Sequence, residues 1–488
     1  MADNDFIVSP NTGASLLASD ANSERKLWKK TVDISESEED FYQQLEGNRP
    51  DSLIETVTDT AAGKGQSITF SVTNGFYQEG KHGDENFEEP ADFEKIVVKS
   101  NQLSVDFVRH AVRYNERMEE RMGLRYELVN KIPAEQGKWM GRKKCRATEM
   151  KWIRKAKANS HNFACAGGGS SVDELGGANV LGWDDFVDVN AILVSHGAAP
   201  AMLGKIGKNR IKRYVTIAPH IGLRSLKKDE NYLAAQRDAG ERGESNKLFT
   251  GGFEDIDGTM ILSREILDHD GDGPLGAALA PKLRLSAAVT AGTTTFDVTG
   301  GTNTKVLYTV DFPNHAFKYN ASDAEATATD PFYLLVVNPP NAPTDPGKMG
   351  FYKCVGNTGK AITITERLAA AVSGIANTTV GSVVWNTAKW LNKTTDVHPA
   401  GAMAYLANAK GQPIGYSIFT GACGMRRGYG KYRNARATDS KEGKFINESY
   451  IVSVFGMQPK INLREEFPNF MVLCHSLAYP GTPIPTDL

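Results

Sequence analysis

Cysteine is scarce, with five in 488 residues (Cys145, Cys165, Cys354, Cys423 and Cys474), odd in number, far apart and without a CxxC pair. That pattern argues against a disulfide framework and a zinc knuckle, and free, mostly buried thiols are expected. Long apolar runs are missing as well. The best candidate for a membrane span, AILVSHGAAPAML, is broken by Ser195, His196 and Pro200 and falls short of the ~18 residues a bilayer requires. No cationic stretch followed by an apolar run opens the chain, so no secretory signal and a cytosol-like place of synthesis are expected. Charge of one sign is not in excess: 56 Lys and Arg face 58 Asp and Glu, for a formal net charge of -2. Wholesale basic binding of nucleic acid is thereby excluded, and any electrostatic role falls to local clusters. Catalytic signatures are absent too, since no HExxH, GxSxG, GxxxxGKS or GxxxxGKT occurs, and no GxGxxG opens a helix after a strand.

What is present is enough chain for about three modules. Residues 1–50 are polar, carry the acidic run ISESEEDFYQQLE and read as a mobile N-terminal arm. Over 51–104 the segments SLIETVTDT, GQSITFSVTNGF and EKIVVKS alternate apolar and polar side chains around a charged tip, which predicts a long β-hairpin. An isolated two-stranded ribbon is marginal in water, so this one needs another surface, such as a second subunit. Phe107, Val108, Ala111, Val112, Met118, Met122 and Leu128 recur near helical spacing until Pro133 interrupts them. The segment AEQGKWMGRKKCRATEMKWIRKAKA then predicts a long helix, with Trp139, Met140, Trp152, Ile153 and Ala156 as its apolar stripe and a wet, basic side. After the Gly-rich loop 166–177, the order helix, strand, helix, loop, strand through residue 265 fits a mixed α+β unit.

Composition shifts beyond Pro274. Residues 281–400 hold ten Lys/Arg and eight Asp/Glu, so 18 of 120 positions are charged, 15% against 23% for the whole chain. Alternating runs such as FYLLVVNPP, FYKCVGNTG and AITITE, with turn residues about every ten positions, predict an all-β module over 274–400. Mixed texture returns from Gly401, so one α+β domain interrupted by an insertion accounts for the pattern better than three successive beads.

LDHDGDGPLG (267–276) places Asp268, Asp270 and Asp272 at positions one, three and five of an EF-hand loop, with Gly273 at six. Position twelve is Leu279 where a bidentate carboxylate is needed, and Pro281 blocks the exit helix, so a solvated linker is preferred over a calcium site. GNTGKAIT (356–363) has the wrong spacing for a phosphate loop. His196, on an apolar helical face, reads as structural, and Asp184 and Asp185 as complements to a helix start. Basic clusters say more. Arg142, Lys143, Lys144, Arg146, Lys151, Arg154, Lys155 and Lys157 oppose one acid, Glu149; Lys205, Lys208, Arg210, Lys212 and Arg213 form a second group, and Arg426, Arg427, Lys431, Arg433 and Arg436 a third. They suit either salt bridges to the acidic arm and hairpin tip or nonspecific phosphate contact.

The order GKGQSITFSVTNGFYQEG, EKIVVKS, RKKCRATEMKWIRKA, RYVTIAPHIGLRSLKKDENY, NKLFTGGFEDIDGTMILSRE, YSIFTGACGMRRGYGKY and SYIVSVFGMQPKINL resembles the major capsid proteins of tailed bacteriophages that share the Johnson fold. The likeness is strongest to the coat-protein family typified by the short-tailed coliphage N-four, and it covers roughly residues 45–270 and 400–480. It implies an α+β capsid fold divided as follows: arm 1–50, extended loop 51–104, peripheral domain with spine helix 105–178, axial domain 179–273 and 401–440, inserted β-rich domain 274–400, and closing strands of the peripheral domain 441–488. It implies a non-enzymatic, cofactor-free subunit that assembles with itself into hexamers and pentamers of an icosahedral head around double-stranded DNA. Made in the cytoplasm of an infected bacterium, it would meet portal and scaffolding proteins and no membrane. The insertion would brace capsomers, dock a decoration protein or stand exposed. Arg142, Lys143, Lys144, Arg146, Arg154, Lys155, Arg426 and Arg427 would face DNA or a neighbouring subunit. Lys64 and Lys81 are available for the loop crosslink some members make, though no partner group is identifiable. The competing readings are a cytosolic nucleic-acid-binding protein and a carbohydrate-active protein with a β-rich accessory domain and a calcium site.

Overall fold

The computed structural model describes residues 30–49, 51–58, 67–73, 93, 98–115, 125–169, 171–176, 178–206, 209–238, 256–264, 282–284, 295–297, 332–337, 348–358, 361–368, 389–390, 403–408, 414–430, 433–435, 446–459 and 469–477. Helix α1 covers residues 30–39 and runs through a 3-10 turn (Phe41–Leu45) into strand β1 (Glu46–Gly47). This strap crosses α2 (Arg125–Ala158), whose 34 residues make a helix about 51 Å long. Met140, Cys145, Ala147, Met150, Trp152, Ile153 and Ala156 of α2 are all buried, so the helix is a central rod with protein on more than one side.

Two sheets flank that rod. The first has the order β1, β2 (Ile54–Thr58), β18 (Met425–Tyr429), β20 (Ile446–Pro459) and β19 (Arg433–Ala435), with β5 (Asp106–Asn115) antiparallel to β20. The second has the order β6 (Phe163–Cys165), β21 (Phe470–Ser476), β17 (Ile414–Thr420), β8 (Asn209–Pro219) and β7 (Ala201–Ile206), with β9 (Thr259–Arg264) parallel to β8. Every residue of β17 and β21 is buried, as strands covered on both faces must be. Period two sorts their side chains. Ile414, Tyr416, Ile418, Phe470, Val472 and Cys474 join the core around α2, while Phe419, Met471 and Leu473 join a second core. That second core is closed by α3 (Trp183–Ser195), α4 (His220–Leu226) and α5 (Glu230–Asp238), through Phe186, Val189, Leu193, Leu223, Leu226 and Tyr232.

A third sheet has the order β10 (Lys282–Arg284), β16 (Met403–Ala407), β12 (Phe332–Val337), β13 (Lys348–Thr358), β14 (Ala361–Leu368) and β11 (Thr295–Asp297), with β15 (Lys389–Trp390) beside β13. Within GNTGKAIT, Gly356, Asn357 and Thr358 of β13 pair antiparallel with Thr363, Ile362 and Ala361 of β14. Strands β3 (Ser67–Thr73) and β4 (Val98–Ser104) form a separate antiparallel ribbon with Ser67 opposite Ser104.

Several expectations change. The arm is not free over 30–49, because its acids find cations on α2 and β18. Ile54–Thr58 pairs in parallel with β18 rather than belonging to the hairpin. Residues 106–115 form a strand where a helix was predicted: Val105 and Phe107 face one cluster and Val108 the other, a period of two, and ten backbone pairs with β20 override the weak helical spacing. Pro133 lies inside α2 instead of ending it. A proline there removes one backbone hydrogen bond, which the packing of the following turns outweighs. The closing strands divide: β20 joins the first sheet, whereas β21 pairs with β17 in the second, and β18 leaves the second sheet for the first. Met403–Ala407, placed by texture in the returning mixed domain, instead pairs with β10 and β12 in the third sheet.

Candidate functional site

Glycine decides how closely the strap approaches α2. A Cβ on Gly137 would lie 2.5 Å from the Val32 carbonyl oxygen, and one on Gly141 2.7 Å from that of Glu36. Four residues apart, the two glycines share one helix face and let α1 settle backbone against helix. Acids on α1 then meet cations on α2: Arg142 Nε donates to Glu39 Oε1 at 2.7 Å, and Lys144 pairs with Glu36. Burial raises the Glu36 pKa, with Lys144 opposing it.

Beyond α1 the strap enters a buried charge cluster. Arg427 of β18, 1% exposed, reaches Asp40 Oδ2 at 2.8 Å and Glu46 Oε1 at 2.5 Å through Nη1, and Thr148 Oγ1 at 2.6 Å through Nη2. Burial works against each of these charges, but their mutual attraction wins: Arg427 is held well above its ordinary pKa and Asp40 below its own. Cys145 Sγ also donates to Asp40 Oδ1 at 3.1 Å, and burial pushes this thiol up to about 12, so it keeps its proton and serves as a hydrogen-bond donor. Glu149, fully buried on α2, holds the other half. Its Oε1 accepts from the Tyr42 hydroxyl at 3.0 Å and sits 2.5 Å from Arg264 Nε at the end of β9. The Tyr42 ring lies 5.4 Å from the Arg427 guanidinium and 5.2 Å from that of Arg264. One arginine from each sheet thus meets the strap across α2.

Of the eight basic candidates, Arg142, Lys144, Arg426 and Arg427 make ion pairs within the chain, Arg426 Nε with Glu55 Oε2 at 2.5 Å. Lys143 is 8% exposed, with Nζ 5.0 Å from the Trp139 ring centre. Arg146, Arg154 and Lys155 are half-buried on α2. The basic side of the helix is therefore covered at its middle rather than wet, because the acids that cover it come from the strap. Asp185 behaves as a helix-start residue: it accepts from the Gly182 N–H at 2.9 Å and from the Gly167 N–H at 3.1 Å, tying the Gly-rich loop to α3. His196 caps the other end of α3, half-buried. Asp268, Asp270, Asp272, Lys64, Lys81, Lys208, Lys431 and Arg436 lie outside the described residues. Among the described residues no cluster of three or more His, Cys, Asp or Glu could hold a metal ion, and no helix is long and apolar enough to cross a membrane.

The root of the ribbon is the second feature. Leu103, Val105 and Val454 form a small cluster with Val57 and Phe107, and a Cβ on Gly456 would lie 2.1 Å from the Ser104 carbonyl oxygen. The ribbon is thus seated directly on β20 through a glycine.

Phage capsids and heads are among the solved structures that align with this chain. The capsid of Ralstonia phage GP4 aligns with TM-score 0.49 and 11% identity over 91% of this chain and 93% of that one. The cyanophage Pam1 capsid aligns with TM-score 0.48 and 9% identity over 90% and 92%. The head of Helicobacter pylori bacteriophage KHP40 does so with TM-score 0.48 and 9% identity over 90% and 92%. No protein-family model matches the sequence, and no curated protein does.

Sequence reasoning missed Asp40, Tyr42, Glu46, Glu149 and Arg264. The GKWMG spacing of Gly137 and Gly141 was the available signal, since two glycines one turn apart in a predicted helix mark a close backbone neighbour. For Glu149 the clue was its setting: the one acid among eight cations between residues 142 and 157 is a candidate for burial with a partner.

Proposed function

We propose that this chain is the major capsid protein of a tailed phage, assembling with itself into hexamers and pentamers of an icosahedral shell around double-stranded DNA. One observation carries the reading: β3 and β4 pair with each other and, among the described residues, with no other strand. Two strands alone bury too little to hold in water, so the ribbon calls for a surface beyond its own root. A second copy supplies it most economically, because a shell repeats the same contact at every subunit. The work is mechanical. The rod α2 and its two flanking sheets form the rigid body, the ribbon reaches the neighbour, and the third sheet is the inserted β-rich domain. On the order of its segments, the chain belongs beside the coat proteins of the N-four type.

The covered state of Arg142, Lys144, Arg426 and Arg427 disfavours a plain DNA-binding protein. Any DNA contact falls instead to cations outside these pairs, and scaffolding, portal and decoration proteins are the further partners of this reading. Electron microscopy and sedimentation of the expressed chain are the test. Hexamers, sheets or closed shells are expected, whereas a monomer at all concentrations with tight, salt-sensitive DNA binding overturns the proposal.

A further inference from the structure

Cys165 and Cys474 are register partners on the adjacent parallel strands β6 and β21. Both are free, both are buried, and both belong to the core around α2, so their side chains leave the sheet on the same face. Neighbouring strands lie ~4.8 Å apart, within the Cα separation that a disulfide spans. The approach of the two Cβ atoms that a bond requires falls on β6, a three-residue strand that pairs with β21 and is followed by a turn with Gly167 and Gly168 at φ 65° and 73°. A short edge strand beside glycines can give where a central strand cannot. On the other side of Cys474 its partner is Tyr416, and Lys157 Nζ lies 5.5 Å from that ring, bringing an ammonium group to this side of the sheet.

We propose that Cys165 and Cys474 are an oxidation site that closes into an intrachain disulfide under a peroxide oxidant, fastening the strand that follows α2 to the last strand of the second sheet. Cys165, 8% exposed against 0% for Cys474, is the group that peroxide reaches first. Its thiolate attacks one peroxide oxygen, the O–O bond breaks, and the departing hydroxide takes up the thiol proton as water, leaving a sulfenic acid. The Cys474 sulfur then attacks that sulfur, the S–O bond breaks as S–S forms, and hydroxide leaves with the Cys474 proton as a second water. Two thiols and one peroxide become one disulfide and two waters. Burial raises both thiol pKa values, that of Cys165 to about 11, which keeps the pair reduced in a reducing cell and makes closure slow; Lys157 acts in the opposite sense on Cys474. The site is independent of the assembly role and stands or falls without it.

The full-length chain is incubated with hydrogen peroxide, denatured, alkylated and digested without reductant for mass spectrometry. The expected product joins the Cys165 and Cys474 peptides within one chain, is lighter than their sum by two hydrogens and disappears with dithiothreitol. In Cys474→Ser the link is lost and Cys165 becomes trappable by dimedone as sulfenic acid. Full alkylation of both thiols after peroxide treatment of the wild-type chain overturns the proposal. So does a link that joins two chains, or one that pairs either residue with Cys145, Cys354 or Cys423. Because the decisive measurement is on the wild-type chain, failure of a variant to fold leaves the test intact.

Discussion

Replacing Arg427 with methionine preserves much of the buried volume but removes the guanidinium that Asp40, Glu46 and Thr148 share. Asp40 and Glu46 are then left 2% and 10% exposed by side chain, without the cation beside them. Removing one partner of a buried ion pair costs ~3–5 kcal/mol because the remaining charge stays desolvated. At ~1.4 kcal/mol per factor of ten this is roughly two to three and a half orders of magnitude in the opening equilibrium of the strap. Hydrogen exchange read by mass spectrometry on residues 30–49 reports that opening directly. The pH dependence has a definite sign. In the wild-type chain the Asp40 pKa is lowered, so its contribution is complete above the unfolded carboxyl value near ~3.9 and is lost as pH falls through the lower folded value. In Arg427→Met burial acts without that opposing cation and raises the Asp40 pKa, so the penalty is full at neutral pH and relaxes as pH falls and the carboxyl takes up a proton. Corrected for intrinsic rates, the difference from wild type should therefore shrink between pH 7 and pH 5, and adding Asp40→Asn should recover part of it at pH 7. Strap protection within threefold of wild type at pH 7, or a difference that persists unchanged at pH 5, would refute the reasoning.

Three further outcomes follow from the same geometry. Gly141→Val places a branched side chain where a Cβ alone meets the Glu36 carbonyl at 2.7 Å, so α1 must lift; faster exchange over 30–39 is expected with β17 and β21 unaffected. Gly456→Ala forces the ribbon root off β20 at a cost of ~1–3 kcal/mol; exchange should rise in β4, and particle yield in an assembly reaction should fall. His475, fully buried beside Ser417 Oγ at 3.0 Å, has its pKa lowered by burial to about 4. Its neutral form suits the fold above the unfolded value near ~6.5, and that contribution, about 3 kcal/mol, is lost as pH falls from there to about 4. Urea unfolding of His475→Asn should be correspondingly less sensitive to pH in that window, and an identical pH slope would count against it.

Local chemistry was legible where one segment carries its own reason. The helix α2, the helix-start position of Asp185 and the textured strands between residues 282 and 407 are all signals carried by neighbouring residues. The failures are non-local. Lys144 reads as solvated until Glu36, 108 positions away, is known to pair with it, and Arg427 until Asp40, 387 positions away, is. The strand at 106–115 has the same origin, since its choice between helix and strand is made by β20, more than three hundred residues later. The eight candidate cations are a concentration of charge in the sequence, but whether such a concentration meets solvent, DNA or an acidic strap is decided by the fold.

The arrangement of those pairs says what the strap is for. Ion pairs taken out of water gain little net stability over apolar side chains of the same volume, yet they tolerate displacement poorly, because each lost contact leaves a desolvated charge. Arg427 belongs to the first sheet and Arg264 to the second, Thr148 and Glu149 are neighbours on α2, and Tyr42 of the strap has its ring near both guanidiniums. A slide or rotation of either sheet along the rod therefore breaks one arginine contact at once, while the apolar core would yield to it gradually. The cluster fixes the register of two sheets on one helix, which is what the proposed shell subunit would require, since its ribbon would have to meet the same neighbour at every position.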